Sequence, residues 1–593
     1  MNKFTEYISK NNRVLWIIFS MYALLIFLLC LIFHIEIYRG VLISSLWRKP
    51  ISFWGFWLPK ISVSLFLASF VFFSKRNWWT IVIALFLNLW CLANTIYFRS
   101  RGLLFDGFTF TMASNMDGFW GSLIMYFLPK DIIPFLLTVI YAVLLILINN
   151  KVPYTINLKV GSCAVLISFI FSWYSLATTN HFFTNYAYEM SDQRPPKHTN
   201  IYYMKKNPFS YNYRMSLMPM TNMSYGFEHF SAVHGFVYVM LDYLHNKNSM
   251  EHPYQLSEQE VVEIQKFLGT SPDINYDKPL IIFIVESLEN WAVNENIMPH
   301  LYKCMQTHHH LYATNVKPQV RVGTSADGQM IINTGILPVE VGATCFRFQY
   351  NVFPSLVNRQ DSAACVLTHE TKVWNQEVMS KAYGYSITDG STSVSDSLLA
   401  IRMLHYIRND YKTVMGITVR SHAPFTDGIY STLSMPKQMP NEMSNYLKCI
   451  NLADEGMALI LDSIKLIPQL ENAVIVITGD HNIFYKEKRD EFYKYCKKYN
   501  DDFDVLQGNC PLIIISDDLD STINIEDEVY QMDIYPTLLA ITNNQNYYWQ
   551  GFGVNLLEPN NIYNRPISEK EASILSEKII TSNFFSTTIL NGK

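Results

Sequence analysis

Long stretches without charged residues are concentrated in the first 180 residues of this 593-residue chain. A helix needs about 20 consecutive apolar residues to cross the hydrocarbon core of a bilayer. Five stretches approach this length, and they predict membrane spans at residues 14–33, 53–73, 77–98, 132–148 and 160–179. Lys60 is the one charged residue inside the second stretch, close enough to its end to extend towards the membrane interface. The sequence therefore predicts a five-helix transmembrane domain over residues 1–180.

The composition indicates that a soluble part follows. Charged residues make up 16% of the chain, against about 25% in a typical soluble protein. The mean hydropathy of +0.08 is nevertheless too low for a chain made only of membrane helices. A net charge of −4 gives no basic surface that would favour nucleic acid as a partner. The partner predicted by the apolar segments is the lipid bilayer.

The orientation is predicted from the positions of lysine and arginine. Seven lie in loops on the side of the N-terminus and seven on the opposite side, but the loops of the first set are much shorter. Since short cytoplasmic loops are enriched in basic residues, we expect a cytoplasmic N-terminus and an extracytoplasmic C-terminal part. Residues 181–255 are predicted to be a juxtamembrane connector. Its apolar segment 232–244 is too short to span, and suits either a helix at the membrane interface or one packed on the next domain.

Beyond the connector, the pattern changes to that of an α/β domain over residues 256–593. A capping box at Ser257–Glu260 predicts the start of a helix. Unbroken apolar runs of strand length follow, of the kind buried on both faces of a parallel sheet. They begin near residues 280, 363, 414, 473 and 511, with predicted helices at 299–306, 374–382, 441–465 and 528–541. This alternation favours a mostly parallel central sheet flanked by helices.

Polar residues follow these predicted strands, where ligands bind in open α/β sheets. The residues are Glu286, His369, His422, Asp480 and His481. Thr324 follows a further predicted strand that ends near Val316, at a point where a helix is predicted to begin. Carboxylates and an imidazole together suit one divalent metal ion, with Mn²⁺ favoured and Zn²⁺ as the alternative. A threonine hydroxyl at a metal and a helix N-terminus can act as a nucleophile towards phosphate.

Each residue taken alone also has a structural interpretation. A glutamate at a strand end often forms an ion pair, Gly-Thr-Ser is a common helix N-cap, and a single histidine is often structural. Gly479-Asp480-His481 is the sharpest signal, because an acid–histidine pair directly after an apolar strand has little structural purpose. Their shared position at the ends of strands favours a metal site.

The motifs resemble those of the lipoteichoic acid synthase family, membrane-anchored phosphoglycerol transferases of the sulfatase (alkaline phosphatase) superfamily. The resemblance rests on the five spans together with Glu286-Ser287, Gly323-Thr324-Ser325, Ser421-His422-x-Pro424-Phe425, Gly479-Asp480-His481, and the C-terminal segments 532–539 and 551–557. It covers almost the whole chain. It implies an alkaline phosphatase-like catalytic domain outside a bacterial plasma membrane.

The resemblance also implies roles for individual residues. Thr324 would be the nucleophile that carries a covalent phospho-adduct, and Glu286, Thr324, Asp480 and His481 would bind the metal. His369, Trp374, Asn375 and His422 would line the pocket for the substrate. The donor would be a membrane phospholipid, and the acceptor an envelope glycan or lipid.

The sequence departs from the family at one motif and leaves alternatives open. Trp374-Asn375-Gln376 stands where the family has Trp-Asn-Arg. Since an arginine fork is suited to holding phosphate, both phosphoglycerol and the phosphoethanolamine of related transferases are candidate head groups. A metal-dependent phosphodiesterase or phosphatase is the alternative function, and a non-catalytic membrane receptor or scaffold is the second alternative.

Overall fold

The computed structural model describes residues 2–45, 50–101, 104–105, 126–151, 154–190, 231–250, 254–269, 278–340, 343–347, 352–359, 361–484, 486–499, 503–543 and 547–586. Its described residues form two compact units, and the division between them lies at Asn248–Ser249. Each unit has its own cluster of buried apolar side chains.

The first unit is helical. Its helices are α1 (Asn2–Ser45), α2 (Pro50–Ser69), α3 (Trp79–Arg101), α4 (Ile133–Lys151), α5 (Leu158–Met190) and α6 (Ala232–Met250). Four helical segments among the described residues are long and apolar enough to cross a membrane: Arg13–Ile37, Trp79–Arg99, Pro129–Lys151 and Leu158–Ser175. These four segments overlap the first, third, fourth and fifth predicted spans.

The second predicted span is not confirmed, so the count of five is not confirmed either. Its apolar helical part is the shorter segment Trp57–Phe73, and the side chains of residues 53–56 lie outside the described part of the chain. Pro59 lies inside α2, and the helix tightens into a 3₁₀ turn at Phe70–Phe73. The expectation for Lys60 was wrong, because its side chain is fully enclosed by the unit instead of reaching outwards.

Helix α6 contains the apolar segment that the sequence placed in the connector. Its first carbonyl, that of Ala232, accepts a 3.0 Å hydrogen bond from Nε1 of Trp90 on α3. The ring of Phe236 packs edge-on against Phe86 and Trp90, with centroids 5.1 and 5.3 Å apart. The helix is therefore packed against α3. Residues 191–230 of the predicted connector lie outside the described residues.

The second unit is an α/β domain. Its strands are β1 (Leu280–Val285), β2 (His310–Lys317), β3 (Ala363–Leu367), β4 (Ile387–Asp389), β5 (Thr413–Ile417), β6 (Val474–Gly479), β7 (Cys510–Ile515), β8 (Ile523–Ile525) and β9 (Val529–Tyr530). Its helices are α7 (Glu258–Gln265), α8 (Pro299–Thr307), α9 (Ser325–Thr334), α10 (Gln376–Tyr383), α11 (Asp396–Arg408), α12 (Asn441–Leu461), α13 (Pro468–Glu471), α14 (Lys486–Tyr499), α15 (Ile534–Asn543) and α16 (Glu569–Ser582). The capping box predicted at Ser257–Glu260 begins α7.

The strands form one mixed sheet of nine strands. Their order is β4-β3-β5-β1-β6-β7-β2-β8, and β9 also pairs with β2. β7 runs antiparallel to both of its neighbours, β6 and β2, while the other pairings are parallel. The prediction of membrane helices followed by an α/β domain is confirmed in this coarse form. An apolar run such as that of β7 carries no sign of strand direction, which is why its antiparallel course could not be predicted.

The apolar runs lie in the centre of this sheet. β1, β3, β5, β6 and β7 are buried along their whole length, as expected for strands covered on both faces. β1 pairs with β5 on one side and β6 on the other, and Val285 is in register with Gly479. The residues that follow β1 and β6 therefore emerge side by side at one edge of the sheet.

Candidate active site

Glu286, Asp480 and His481 form a buried cluster at this edge. Glu286 follows β1 directly, and Asp480 and His481 follow β6, so the parallel register of the two strands brings them together. One ligand atom from each of the three side chains lies within 4.8 Å of the others. His481 Nε2 is 3.3 Å from Glu286 Oε1 and 3.6 Å from Asp480 Oδ2. The side chains are almost fully enclosed.

Backbone groups fix the orientation of these side chains. Asp480 Oδ1 accepts hydrogen bonds from the backbone N–H of Ser287 (2.7 Å) and of His481 (2.9 Å). Asp480 Oδ2 is buried and has no hydrogen-bond partner within the described part of the chain. His481 Nδ1 lies 2.8 Å from the carbonyl of Asn482, which places the proton on Nδ1 and leaves Nε2 towards the carboxylates.

The charges of the cluster depend on one another. Burial raises the pKa of Asp480 to about 7, and repulsion from Glu286 acts in the same direction. Burial opposes the charged form of His481, but the Asp480 and Glu286 carboxylates outweigh it and raise the His481 pKa to about 9. Burial also disfavours ionised Glu286, yet the hydrogen bond and charge of His481, with the charge of His422, hold its pKa below the usual range. A cationic partner is therefore favoured among these carboxylates.

The residues present fit a divalent metal ion. Two carboxylates and an imidazole nitrogen are a donor set for Mn²⁺ or Zn²⁺. A buried carboxylate oxygen without a partner, such as Asp480 Oδ2 within the described residues, costs free energy unless a cation or donor satisfies it. The cluster could thus hold a metal through Glu286, Asp480 and His481.

Thr324 lies at the turn between β2 and α9, as the sequence predicted. It precedes the first residue of α9, is buried, and has a backbone φ of +37° and ψ of −105°. A positive φ in a β-branched residue is strained, and such strain is often found at functional sites. The side chain does not cap the helix, so the hydroxyl is not used to begin α9.

The hydroxyl of Ser325, the residue after Thr324, contacts the cluster directly. Ser325 Oγ donates a 3.0 Å hydrogen bond to Glu286 Oε2 and lies 3.1 Å from His481 Nε2. These contacts place the N-terminus of α9 at the acid–histidine cluster. The sequence contained Ser325 within the Gly-Thr-Ser motif, but nothing in the motif indicated which of the two hydroxyls would touch the carboxylate.

The two further histidines lie towards the same cluster. Burial lowers the pKa of His369, and the charge of His422 acts in the same direction. The Glu286 carboxylate acts in the opposite direction, so both Glu286 and His422 are close enough to affect His369. His369 Nδ1 lies 3.1 Å from the carbonyl of Glu370, and His422 Nδ1 lies 2.6 Å from that of Ala423.

Trp374 and Asn375 are placed differently from the histidines. Both have positive φ, +52° and +54°, in the turn before α10. Asn375 Nδ2 donates a 2.9 Å hydrogen bond to the carbonyl of Cys345, and Trp374 is partly buried against the core of the unit. Their described contacts tie this turn to the core, so their role towards a substrate stays a prediction.

Two residues that support the cluster were given no role from the sequence. Ser287 Oγ donates to Glu286 Oε1 at 2.8 Å, and Gln531 Nε2 donates to the carbonyl of Asp480 at 2.7 Å. Ser287 could have been suspected from its position beside Glu286. Gln531 is about 50 residues from Asp480 in sequence, and no local pattern indicates that the two meet.

The fold and the site together define an α/β domain in which buried acidic and histidine side chains meet a hydroxyl-bearing helix N-terminus. The profile of the sulfatase family matches residues 162–544, and the chain belongs to this family. Within it, the chain is similar to lipoteichoic acid synthases. It is 21% identical over 452 residues to that of Staphylococcus saprophyticus, covering 71% of this chain and 66% of that protein. The same identity is found over 457 residues of the Staphylococcus aureus enzyme, again with 66% of its length covered.

The chain is also similar to solved structures. One is the lipooligosaccharide phosphoethanolamine transferase A of Neisseria meningitidis, with a TM-score of 0.49, 12% identity, and coverage of 94% of this chain and 98% of that one. Another is the lipoteichoic acid synthase LtaP of Listeria monocytogenes, with a TM-score of 0.41, 18% identity, and coverage of 58% and 98%. The family resemblance stated from the motifs is confirmed by the sulfatase profile and the curated relatives.

Proposed function

We propose that the protein is a membrane-anchored, metal-dependent phosphotransferase. It moves the head group of a phospholipid, phosphoglycerol or phosphoethanolamine, through a covalent phospho-threonine at Thr324 to an envelope glycan or lipid. The observation that carries this proposal is the contact of the α9 N-terminus with the acid–histidine cluster, through Ser325 Oγ on Glu286 and His481. This contact brings Ser325, the residue after Thr324, to a group of cation ligands, which supports a role for the Thr324 hydroxyl.

The metal site of the proposal consists of Glu286, Asp480 and His481, with the Thr324 hydroxyl as the fourth ligand and Mn²⁺ favoured over Zn²⁺. When bound, the divalent ion would lower the pKa of a ligated hydroxyl and neutralise charge on a phosphate oxygen. The protein's own contribution is orientation. Ser287 and the backbone around Asp480 hold the carboxylates, and the first N–H groups of α9 would face a phosphate bound at the helix N-terminus.

The proposed reaction has two steps. Thr324 Oγ1 forms a bond to the phosphorus of the lipid, the bond from phosphorus to the diacylglycerol oxygen breaks, and the Thr324 proton ends on diacylglycerol. An acceptor hydroxyl then bonds to the same phosphorus, the bond to Thr324 Oγ1 breaks, and the acceptor proton returns to Thr324. His369 and His422, which lie within electrostatic range of Glu286 and of one another, are suited to holding phosphate oxygens or passing these protons.

The identity of the head group depends on the substrate pocket. Gln376, which replaces the arginine of the family motif, is buried and donates a 2.8 Å hydrogen bond to Gln329 Oε1. The side-chain amide nitrogen of Gln376 is therefore hydrogen-bonded inside the core. Both phosphoglycerol and phosphoethanolamine are therefore kept in the proposal.

The proposed location is a bacterial plasma membrane, with a cytoplasmic N-terminus and the catalytic domain outside the cell. The apolar helices support a membrane protein, and the lipoteichoic acid synthases among the relatives support an envelope acceptor. This location would give the catalytic domain access to phospholipid donors. We propose no nucleic acid partner, since the charge is slightly negative.

Thr324→Ala tests the proposal, with Thr324→Ser as the matched control that keeps a hydroxyl. Each purified protein is incubated with Mn²⁺ and vesicles of phosphatidylglycerol or phosphatidylethanolamine, and the adduct is mapped by mass spectrometry. We expect an adduct at position 324 in wild type and in Thr324→Ser, and none in Thr324→Ala. The head group is identified from the adduct mass.

Other results would contradict parts of the proposal. An adduct that persists in Thr324→Ala and lies on Ser325 would transfer the nucleophilic role to Ser325. Release of free glycerol phosphate or ethanolamine phosphate in the presence of a hydroxyl acceptor, without a transfer product, would favour the phosphodiesterase. The absence of both an adduct and head-group release with every lipid tested would rule out the transferase.

A further inference from the structure

An enclosed ion pair lies next to the acid–histidine cluster and takes no part in the chemistry proposed above. Glu289 is 0% exposed and Arg489 is 8% exposed. Arg489 Nη2 donates to Glu289 Oε1 at 2.7 Å, and Nη1 donates to Oε2 at 2.8 Å. This is the bidentate geometry in which arginine and carboxylate pair most strongly. The pair therefore fixes the distance between the Glu289 carboxylate and the Arg489 guanidinium inside the domain.

The pair joins the two loops that carry the cluster. Glu289 follows Glu286 by three residues in the loop after β1. Its Oε1 also accepts a 3.0 Å hydrogen bond from the backbone N–H of Ile483, two residues after His481 in the loop after β6. Glu289 thus bonds to the loop of His481 while belonging to the loop of Glu286.

Further contacts prevent either partner from moving. Trp291 Nε1 donates to Glu289 Oε2 at 2.6 Å. Arg489, in the first turn of α14, donates from Nε to the carbonyl of Phe484 at 2.9 Å and from Nη1 to that of Val505 at 3.0 Å. With these contacts, the buried carboxylate and guanidinium bond to both loops and to one another.

A tyrosine fixes the short segment between Glu286 and Glu289. The hydroxyl of Tyr446, on α12, donates to the carbonyl of Ser287 at 2.9 Å and accepts from the N–H of Glu289 at 3.0 Å. Ser287 N–H is itself bonded to Asp480. A displacement of Glu289 would therefore be passed on to the groups that hold Glu286 and Asp480.

Stability alone is a weak reason for such a pair. The desolvation of two buried charges can exceed their attraction, and replacing both by neutral groups is often close to neutral for stability. In some proteins, buried charged hydrogen bonds instead favour one arrangement of the groups that they join. Groups that orient metal ligands commonly change metal affinity by about 10-fold to 100-fold when they are altered.

We infer that Glu289 and Arg489 are positioning residues that set the spacing of Glu286 and His481 for metal binding. The inference rests on the metal site of the proposed function and deepens it. Neither residue contacts the metal or the substrate in this scheme. Their effect is passed through the two loops that they join.

The test compares variants of the full-length protein in detergent, with Mn²⁺ alone as the probe. Glu289→Gln/Arg489→Gln removes both charges but keeps hydrogen-bonding groups, and Arg489→Lys keeps the charge but loses the bidentate fork. The matched control is Glu442→Gln/Lys488→Gln, which removes the adjacent 2.7 Å ion pair between α12 and α14. Mn²⁺ affinity is measured by calorimetry well below the unfolding temperature, the bound ion by electron paramagnetic resonance, and apo stability by thermal unfolding.

We expect the Glu289/Arg489 variants to bind Mn²⁺ about tenfold more weakly or worse, with an altered resonance spectrum. The control should stay within about twofold of wild type, as expected for a more exposed ion pair. A purely structural role would lower the unfolding temperature and leave the affinity of the folded protein unchanged. If the double variant does not fold, Arg489→Lys decides on the same criterion.

Two failures are distinguishable. If wild type binds Mn²⁺ and the folded Glu289/Arg489 variants bind it equally well, the positioning inference is overturned and the metal site stands. If wild type itself binds neither Mn²⁺ nor Zn²⁺, the metal site of the proposed function is overturned, and the inference with it.

Discussion

Asp396 shows how strongly the surroundings of one residue can change its behaviour. It lies in the first turn of α11 and is 2% exposed, and neither carboxyl oxygen has a hydrogen-bond partner among the described residues. Burial raises its pKa to about 7, with a lowering effect of Arg420 and a raising effect of Asp427. In the unfolded chain the same carboxyl would titrate near pH 4. The folded protein therefore holds a proton here that the unfolded chain has lost.

This difference predicts a pH dependence of stability. Between about pH 4 and pH 7 the folded state binds more protons at Asp396 than the unfolded state does, so stability falls as the pH rises through this window. The stabilisation is complete below about pH 4 and lost above about pH 7, an effect on the order of 4 kcal/mol. Asp396→Asn removes this titration. In calorimetry we expect its unfolding temperature, relative to wild type, to rise from about pH 4 to about pH 7 and to level off above that.

Glu455→Gln is the control, because Glu455 is an exposed carboxyl on the neighbouring helix α12. Its unfolding temperature should follow wild type across the same range. A constant difference between Asp396→Asn and wild type at all pH values would show that Asp396 has the same pKa in both states.

Helix α9 is the element on which the site depends most, because it brings its N-terminus to the residues after β6. Its Gly328 lies directly against the backbone of Asp480, where a Cβ would collide with the Asp480 carbonyl. Gln531 donates to that same carbonyl. The absence of a side chain at position 328 is therefore what allows α9 to approach the loop that carries Asp480 and His481.

Gly328→Ala should separate the helix from this loop. Backbone cannot yield as a flexible side chain does, so we expect a loss of roughly 1–3 kcal/mol of stability, together with weaker Mn²⁺ binding by calorimetry. Gly416→Ala, in the buried strand β5, is the control. Its Cβ would meet the end of the Met403 side chain, which can change rotamer. Mn²⁺ binding by folded Gly328→Ala equal to that of Gly416→Ala would contradict the role assigned to this contact.

The two units of the molecule bury separate apolar cores. The core cluster of the α/β unit runs from Ile264 to Phe585, and that of the helical unit from Val14 to Val239. The α/β core is large, and it includes most of the central sheet. A domain with its own core can in principle fold alone.

We predict that residues 254–593, expressed without the preceding chain, form a soluble domain with a cooperative thermal transition. It should bind Mn²⁺ as the full-length protein does, since Glu286, Asp480 and His481 lie within it. Turnover of phospholipid in vesicles should fall by roughly a hundredfold, because the domain is no longer held at the membrane. Equal vesicle turnover by the isolated domain and by the full chain would contradict the prediction that the membrane helices increase turnover.

Several features could be predicted from local patterns alone. The uncharged stretches indicated membrane helices, and the apolar runs indicated β1, β3, β5, β6 and β7, because burial on both faces leaves a continuous signal. Glu286, Asp480 and His481 were identified because each directly follows such a run. Shorter strands such as β8 and β9 carry too few residues for a pattern of their own.

Other features depend on contacts between distant parts of the chain. The antiparallel direction of β7, the enclosure of Lys60, the meeting of Gln531 with Asp480 and the pairing of Glu289 with Arg489 have no local signature. The sequence by itself determined the order of apolar helices and α/β domain and the members of the acid–histidine cluster, since both follow from hydropathy and from position after a strand. Only the tertiary structure decided which hydroxyl touches the cluster and which ion pair joins its loops, because those distances arise when elements far apart in sequence pack together.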